Sequence, residues 1–299
     1  MTVVTQGPGN RTAIAVMCMG VVLLVVNDAV AKGLVARFDP FQILFARSLV
    51  ALPLVAAMAM RYSGGLAGLR SAKPAVHVLR AALAVGATYL FIASLGALQL
   101  AEATALIFTA PIFVAALSWP LLGQRVGGVR LAAILVGFLG ALIAVRPGAE
   151  TMQAASILAL GAALVNALMM ISARLIDPRD GFWTMTFYMT LLSGLLCAFT
   201  LADDWPPIRA GDVGLFVLMA AAGTLGIALI TQAFRMGDAA AVAPFDYTAL
   251  IWATVIGWAV WGTIPGWPIY LGAAVIAGGG IALIVLDTRG EKQRERSAT

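Results

Sequence analysis

The sequence predicts an all-α integral membrane protein, with ten transmembrane helices in an inverted five-plus-five repeat. Three observations predict it. The first is composition: of 299 residues, 62% are hydrophobic and only 11% charged, and the mean hydropathy is +0.97. A soluble domain carries roughly 25% charged residues. The charges here are too few to cover a globule in water, whereas lipid solvates an apolar exterior. The second is a series of apolar runs of membrane-crossing length, about 20 residues each. The third is a weak internal repeat relating the two halves.

The runs fall near 12–32, 41–60, 79–99, 103–122, 128–146, 153–174, 182–201, 213–233, 240–260 and 268–286. Connections are short; the longest polar ones are Arg61–His77 and Ala202–Asp212, so no soluble domain fits between spans. The first run superficially resembles a signal peptide, with Arg11, an apolar stretch and Ala29-Val30-Ala31. Cleavage there would leave nine spans and break the repeat, so it is read as a retained helix. The halves are residues 1–148 (spans 1–5) and 149–299 (spans 6–10 with a short basic tail).

Positive charge in the loops sets orientation. With a cytoplasmic N-terminus, the outer side holds only Lys32, Arg37, Arg47, Arg146 and Arg209 of the 19 Lys and Arg residues. The inner side holds the rest, including Arg61, Arg70, Lys73, Arg125, Arg179, Arg235 and the tail from Arg289 to Arg296. Both termini are expected in the cytoplasm of a bacterial inner-membrane protein.

A shift of 136 positions places Ala97 on Ala233, Glu102 on Asp238 and Ala105 on Ala241. After a three-residue insertion, a shift of 139 pairs Gly123 with Gly262 and Gly140 with Gly279. An odd number of spans per half inverts the second copy in the membrane, a frequent plan among secondary transporters. Gly137-Phe-Leu-Gly140 in span 5 and Gly278-Gly279-Gly280 in span 10 suit close helix packing, giving these spans a structural or dimer-facing place.

Other classes find little support. The net charge of +5 lies in short connections and the tail, which argues against a nucleic-acid partner. Cys18 and Cys197 lie inside apolar runs, as small packing side chains do. His77, the one histidine, sits in a polar loop, so no His-based metal cluster can be assembled. No HExxH motif or carboxylate cluster points to an intramembrane enzyme, and neither cofactor nor metal is expected. A channel is the harder rival, because similar residues can line a pore.

Two stretches carry a family resemblance. One runs from Arg80 through Leu98-Gln-Leu-Ala-Glu102-Ala-Thr-Ala-Leu-Ile-Phe-Thr-Ala-Pro111-Ile-Phe to Leu122-Gly-Gln-Arg125 and Gly137-Phe-Leu-Gly140. The other is Pro244-Phe-Asp-Tyr247-Thr-Ala-Leu-Ile-Trp252-Ala, with Gly257-Trp258 and Leu271-Gly-Ala-Ala. Both resemble the EamA domains of the drug/metabolite transporter superfamily. The resemblance implies spans 3, 4, 8 and 9 around a central cavity. It implies a secondary carrier working by alternating access, with bacterial aromatic amino-acid exporters as the members most resembled. Other members export other metabolites or import S-adenosylmethionine or riboflavin. One departure is Gln124, and Thr263 after Gly262, where the family has an acidic residue after Leu-Gly of span 4.

Ionisable groups inside spans are costly in lipid and usually mark interior, functional faces. Asp28 and Lys32 lie four apart on one face of span 1 and can pair. An Asp28–Arg47 bridge between spans 1 and 2 is also expected. Either is a structural ion pair, or else these three residues form an outer gate, with Arg47 an anchor for a substrate carboxylate. Asp246 follows Pro244 in span 9, and Pro111 kinks span 4. Asp246 could hold a substrate ammonium or a coupling proton, or simply bond a neighbour.

Aromatic residues of the presumed cavity spans complete the candidate site. Tyr89, Phe108, Phe113, Tyr247 and Trp252, with Thr109 and Pro111, could build an apolar pocket with a few polar handles. Packing and interfacial belts are the plainer reading of such rings, and Thr109 could spend its hydroxyl on its own helix. The expected cargo is a small molecule, an amino acid first, or else another metabolite or an apolar dye-like compound. A homodimer is the other partner expectation.

Overall fold

The computed structural model describes residues 9–63, 65, 69–122, 128–145, 154–177, 179–200, 205–237, 242–279 and 281–282. Gln124, Arg125, Arg146, Asp238 and the tail from Arg289 to Arg296, all used above, lie outside the described residues.

Among the described residues the chain is helical and contains no strand. The first half comprises α1 (Gly9–Val35), α2 (Pro40–Tyr62), α3 (Pro74–Leu95), α4 (Leu100–Ile107), α5 (Ala110–Leu122) and α6 (Gly128–Val145). The second comprises α7 (Ala154–Ser172), α8 (Phe182–Ala198), α9 (Ala210–Met236), a 3-10 turn (Ala243–Thr248), α10 (Ala249–Trp261) and α11 (Trp267–Gly279). Five of these helices are long and apolar enough to cross a membrane unaided. Counting α4 with α5 as span 4, and the 3-10 turn with α10 as span 9, they compose the ten expected crossings.

Helix ends follow local chemistry rather than hydropathy, which is why several spans begin earlier than their apolar runs. Asp39 caps α2 by accepting from Phe41 N at 2.8 Å, and Pro40 starts the helix where no N–H is needed. Glu102 reaches back to accept from Gln99 N at 3.0 Å and opens α4, while Asp212 accepts from Arg209 N at 2.7 Å and opens α9. Gly262 ends α10 at φ 67°, where its N–H and that of Thr263 return to the carbonyls of Trp258 and Gly257. That left-handed position favours a residue without Cβ.

Packing relates the halves. Span 1 packs on span 8 and span 6 on span 3; span 7 lies against spans 2 and 3, and span 2 against span 8. Span 4 touches spans 6 and 9, and span 9 touches span 1. Exchanging each span for its counterpart five later reproduces the same set, as a two-fold relation between inverted repeats requires.

Small residues set the closest approaches. At the α1–α9 crossing, a Cβ on Gly20 would stand 2.9 Å from Gly226 O, and one on Gly226 would stand 3.0 Å from Gly20 O. A Cβ on Gly140 of α6 would meet Gly272 O of α11 at 2.8 Å, so spans 5 and 10 cross each other through Gly140. Outward, Leu135, Phe138, Leu139, Phe199 and Trp258 leave large apolar side chains exposed, as a lipid-facing surface does.

One end of the molecule joins the halves by Arg37, whose two terminal nitrogens each donate to Asp212 at 2.8 Å, and by Gln42, which donates to Pro206 O at 2.7 Å. The opposite end corrects an expectation. His77 is not in a polar loop but in the first turn of α3, only 1% exposed. It stacks on Tyr188 with centroids 4.5 Å apart, and its Nε2 lies 3.0 Å from Asp180 Oδ2.

Candidate functional site

The repeat brings its two irregular spans together. In span 4 the helix breaks at Phe108–Thr109: Thr109 N turns back to Leu106 O at 3.1 Å, and Phe113 N restarts the ladder on Thr109 O at 3.1 Å. Pro111 has no N–H to offer Ile107, which explains the break. Shifted by 136 positions, Phe108 and Thr109 fall on Pro244 and Phe245, inside the 3-10 turn of span 9. Both repeats thus depart from α-helix at the same register. There Phe108 meets Tyr247 edge to face, with centroids 4.9 Å apart.

The expected site residues distribute unevenly around this crossing. Phe108 and Thr109 are buried, and Pro111, Phe113 and Tyr247 are half-buried. Thr109 spends its hydroxyl on Leu106 O at 2.7 Å, so it provides no free handle. Asp246 is exposed between half-buried Phe245 and Tyr247, and it bonds no described side chain. Tyr89 stacks on Phe41 of α2 at 4.4 Å, a partner the sequence did not suggest. Trp252 does not join them: it is 37% exposed, on a side of α10 shared with Ile251 and Val255, whereas Ala253 and Gly257 face inward.

The charged residues pair otherwise than expected. Lys32 does not bond Asp28. It donates to the carbonyls of Leu95 and Leu98, at 2.8 and 2.6 Å, and lies 5.7 Å from the centre of the Trp261 ring. The end of α3 leaves carbonyls without intrahelical donors and carries partial negative charge, so an ammonium is well placed there. Asp28 instead accepts from Asn27 Nδ2 at 2.9 Å. Arg47 lies within electrostatic range of Asp28 but makes no hydrogen bond or ion pair to any described residue.

Asn27 was missed by sequence reasoning. The signal was an amide inside an apolar run next to Asp28, where a polar side chain is as costly as its neighbour. Its side chain is buried, and Oδ1 has no hydrogen-bond partner. Gly223 of α9 makes room for it: a Cβ there would stand 2.8 Å from Asn27 Oδ1 and 3.1 Å from Arg47 Nη2.

A polytopic helical membrane protein with paired broken spans and a few interior polar groups is a transporter in architecture, and comparison with known proteins agrees. The chain belongs to the EamA-like transporter family, whose model matches it twice, over residues 11–146 and 153–286. It is similar to a riboflavin transporter of Vibrio cholerae, 31% identical over 83% of this chain and 82% of that protein. A riboflavin transporter of Rhizobium johnstonii is 30% identical over 78% of this chain and 76% of its own. An S-adenosylmethionine uptake transporter of Rickettsia bellii is 25% identical over 86% and 88%. One crystal structure of a protein superposes with a TM-score of 0.62 at 20% identity, over 94% of this chain and 99% of that one, a likeness of fold. The aromatic amino-acid exporters expected from the sequence are not among these relatives.

Proposed function

We propose that the chain is an alternating-access carrier of riboflavin or a similarly flat, uncharged heterocyclic metabolite across the bacterial inner membrane, with both termini cytoplasmic. The observation that carries this reading is the pair of riboflavin transporters matched at 30–31% identity over about four fifths of the chain. The interior supports it. Two aromatic pairs (Phe41 on Tyr89, Phe108 against Tyr247) lie in the interior, which suits a stacked ring with polar groups at its edges. The two broken spans give the repeats a place to rock against each other.

Uptake of radiolabelled riboflavin into proteoliposomes containing only this protein tests the proposal. Saturable uptake, blocked by unlabelled riboflavin and not by S-adenosylmethionine, is expected; no uptake above protein-free liposomes rejects it.

An amino-acid substrate, exported rather than imported, is a second reading. What favours it is the coexistence of an exposed carboxylate, Asp246, with a guanidinium lacking a fixed partner, Arg47, as a zwitterion would use. Competition by one of the twenty amino acids in the same assay, lost in Asp246→Asn, selects it.

A further inference from the structure

Asp246 combines three properties that rarely meet in a transmembrane helix. It lies deep in its span: fifteen residues separate it from Trp261 at the far end of α10. That is about 20 Å of helix, inside a hydrocarbon core about 30 Å thick. It is exposed, although a carboxylate at that depth is too costly to face lipid. And it stands on the inward side of its span. Ala253, two turns further on, is buried, as is Gly257 one turn beyond, whereas Ile251 on the opposite side is 61% exposed. The exposed surface of Asp246 therefore opens into the interior. Its neighbour Tyr247 meets Phe108 at the crossing of the two broken spans, so that opening adjoins the candidate site.

Among the described residues the carboxylate has no counter-charge. α10 and the stretch of span 4 from Leu106 to Leu122 carry no ionisable side chain. α1, which packs on the 3-10 turn, carries Arg11, Cys18, Asp28 and Lys32. Asp28 is held by Asn27, and Lys32 by the carbonyls of Leu95 and Leu98. Glu102 serves as the cap of α4, and Arg235 closes α9. None of these forms an ion pair with Asp246.

We propose that Asp246 is a charge filter on the transport path, a specificity-determining residue that rejects anionic flavins and lets the neutral ring pass. The proposal rests on the riboflavin reading above and adds its selectivity. An unbalanced negative charge in an enclosed, weakly polar space acts over several ångströms, so it needs no contact with the cargo. A flavin phosphate ester meets that repulsion wherever it sits at the crossing, and riboflavin does not. Discrimination thus comes from an unfavourable interaction with the wrong substrate.

The test compares riboflavin, its 5′-phosphate and its 5′-acetate as competitors of labelled riboflavin uptake into proteoliposomes holding the full-length protein, at mildly alkaline pH. The acetate adds bulk at the same place without charge. In the wild type the phosphate should compete at least about ten-fold more weakly than the acetate, the scale for like charges about 10 Å apart in a partly screened interior. Asp246→Asn and Asp246→Ser should bring that ratio close to one, and Asp246→Glu should keep it. Quenching of flavin fluorescence by the purified variants gives the same ratios where transport is too slow to read. Equal competition by phosphate and acetate in the wild type overturns the filter while leaving riboflavin transport standing. A wild-type ratio in the neutral variants does the same. Loss of riboflavin binding in both neutral variants also overturns it, because a carboxylate that only repels anions is not needed by a neutral ring. Absence of riboflavin uptake by the wild type removes the carrier reading and the filter with it.

Discussion

Phe108 and Tyr247 meet edge to face with planes at 70°, one residue from each half of the chain and each at the point where its span leaves regular helix. The contact ties the two irregular segments together. Phe108→Leu should therefore cost about 0.5–1.5 kcal/mol of thermal stability in detergent, the range of an aromatic pair beyond its area. Uptake at equal membrane abundance should fall further than that stability loss explains. Unchanged uptake would show that the crossing only packs.

The α1–α9 crossing predicts a steric result. Gly20→Ala places a methyl 2.8 Å from Ile230 Cγ1 and 2.9 Å from the backbone of Gly226, so the helices must separate. A loss of about 1–3 kcal/mol is expected from overpacking of this kind. Gly33→Ala on the same helix meets nothing within 4 Å and serves as the neutral control. Melting curves of the purified variants distinguish the two; equal midpoints would mean the helices part without cost.

Arg37 and Asp212 bridge the halves with both guanidinium nitrogens engaged, and Arg37 remains 39% exposed. A double-mutant cycle with Arg37→Ala and Asp212→Ala should give only a small coupling, because water screens the pair. Asp212 also caps α9, so the single Asp212→Ala change should cost more than Arg37→Ala. Raising the salt concentration should shrink the coupling but not the capping loss.

The Asp177–Arg179 turn predicts a pH response. Hydrogen bonds from the Arg179 side chain and backbone N–H hold the Asp177 carboxyl well below the usual carboxylate range. A carboxyl depressed on folding contributes stability above its unfolded pKa of about 4 and loses it as pH falls through the lower folded value. Asp177→Asn should thus melt earlier than wild type at pH 7, by a small margin because Arg179 is exposed, with the gap closing on acidification below pH about 4. A gap constant from pH 7 to pH 3 would exclude this linkage.

Much of the fold was legible because each membrane crossing is a local property. Twenty apolar residues announce a span, Pro111 and Pro244 announce its irregularity, and Glu102 announces a helix start, all within one short window. The site was legible only in its costly residues. Asp28, Lys32, Arg47 and Asp246 stand out in any apolar run, but their partners come from elsewhere in the chain. Lys32 has a sequence neighbour in Asp28 at helical spacing, yet it bonds carbonyls more than sixty residues away, because the end of α3 needs donors and lies beside it. His77 looks like a loop residue beside Lys73 and becomes a buried, stacked side chain only when Asp180 and Tyr188 close over it.

The sequence by itself determined a membrane-embedded, ten-span, duplicated chain, since hydropathy and helix breakers act over one or two turns. The tertiary structure alone decided that Phe108 faces Tyr247, that Tyr89 stacks on Phe41, and that Asn27 and Arg47 converge on Gly223. Which helix faces meet depends on how small residues such as Gly20, Gly140 and Gly226 let distant spans approach. That is a property of pairs of helices, which no single stretch of sequence carries.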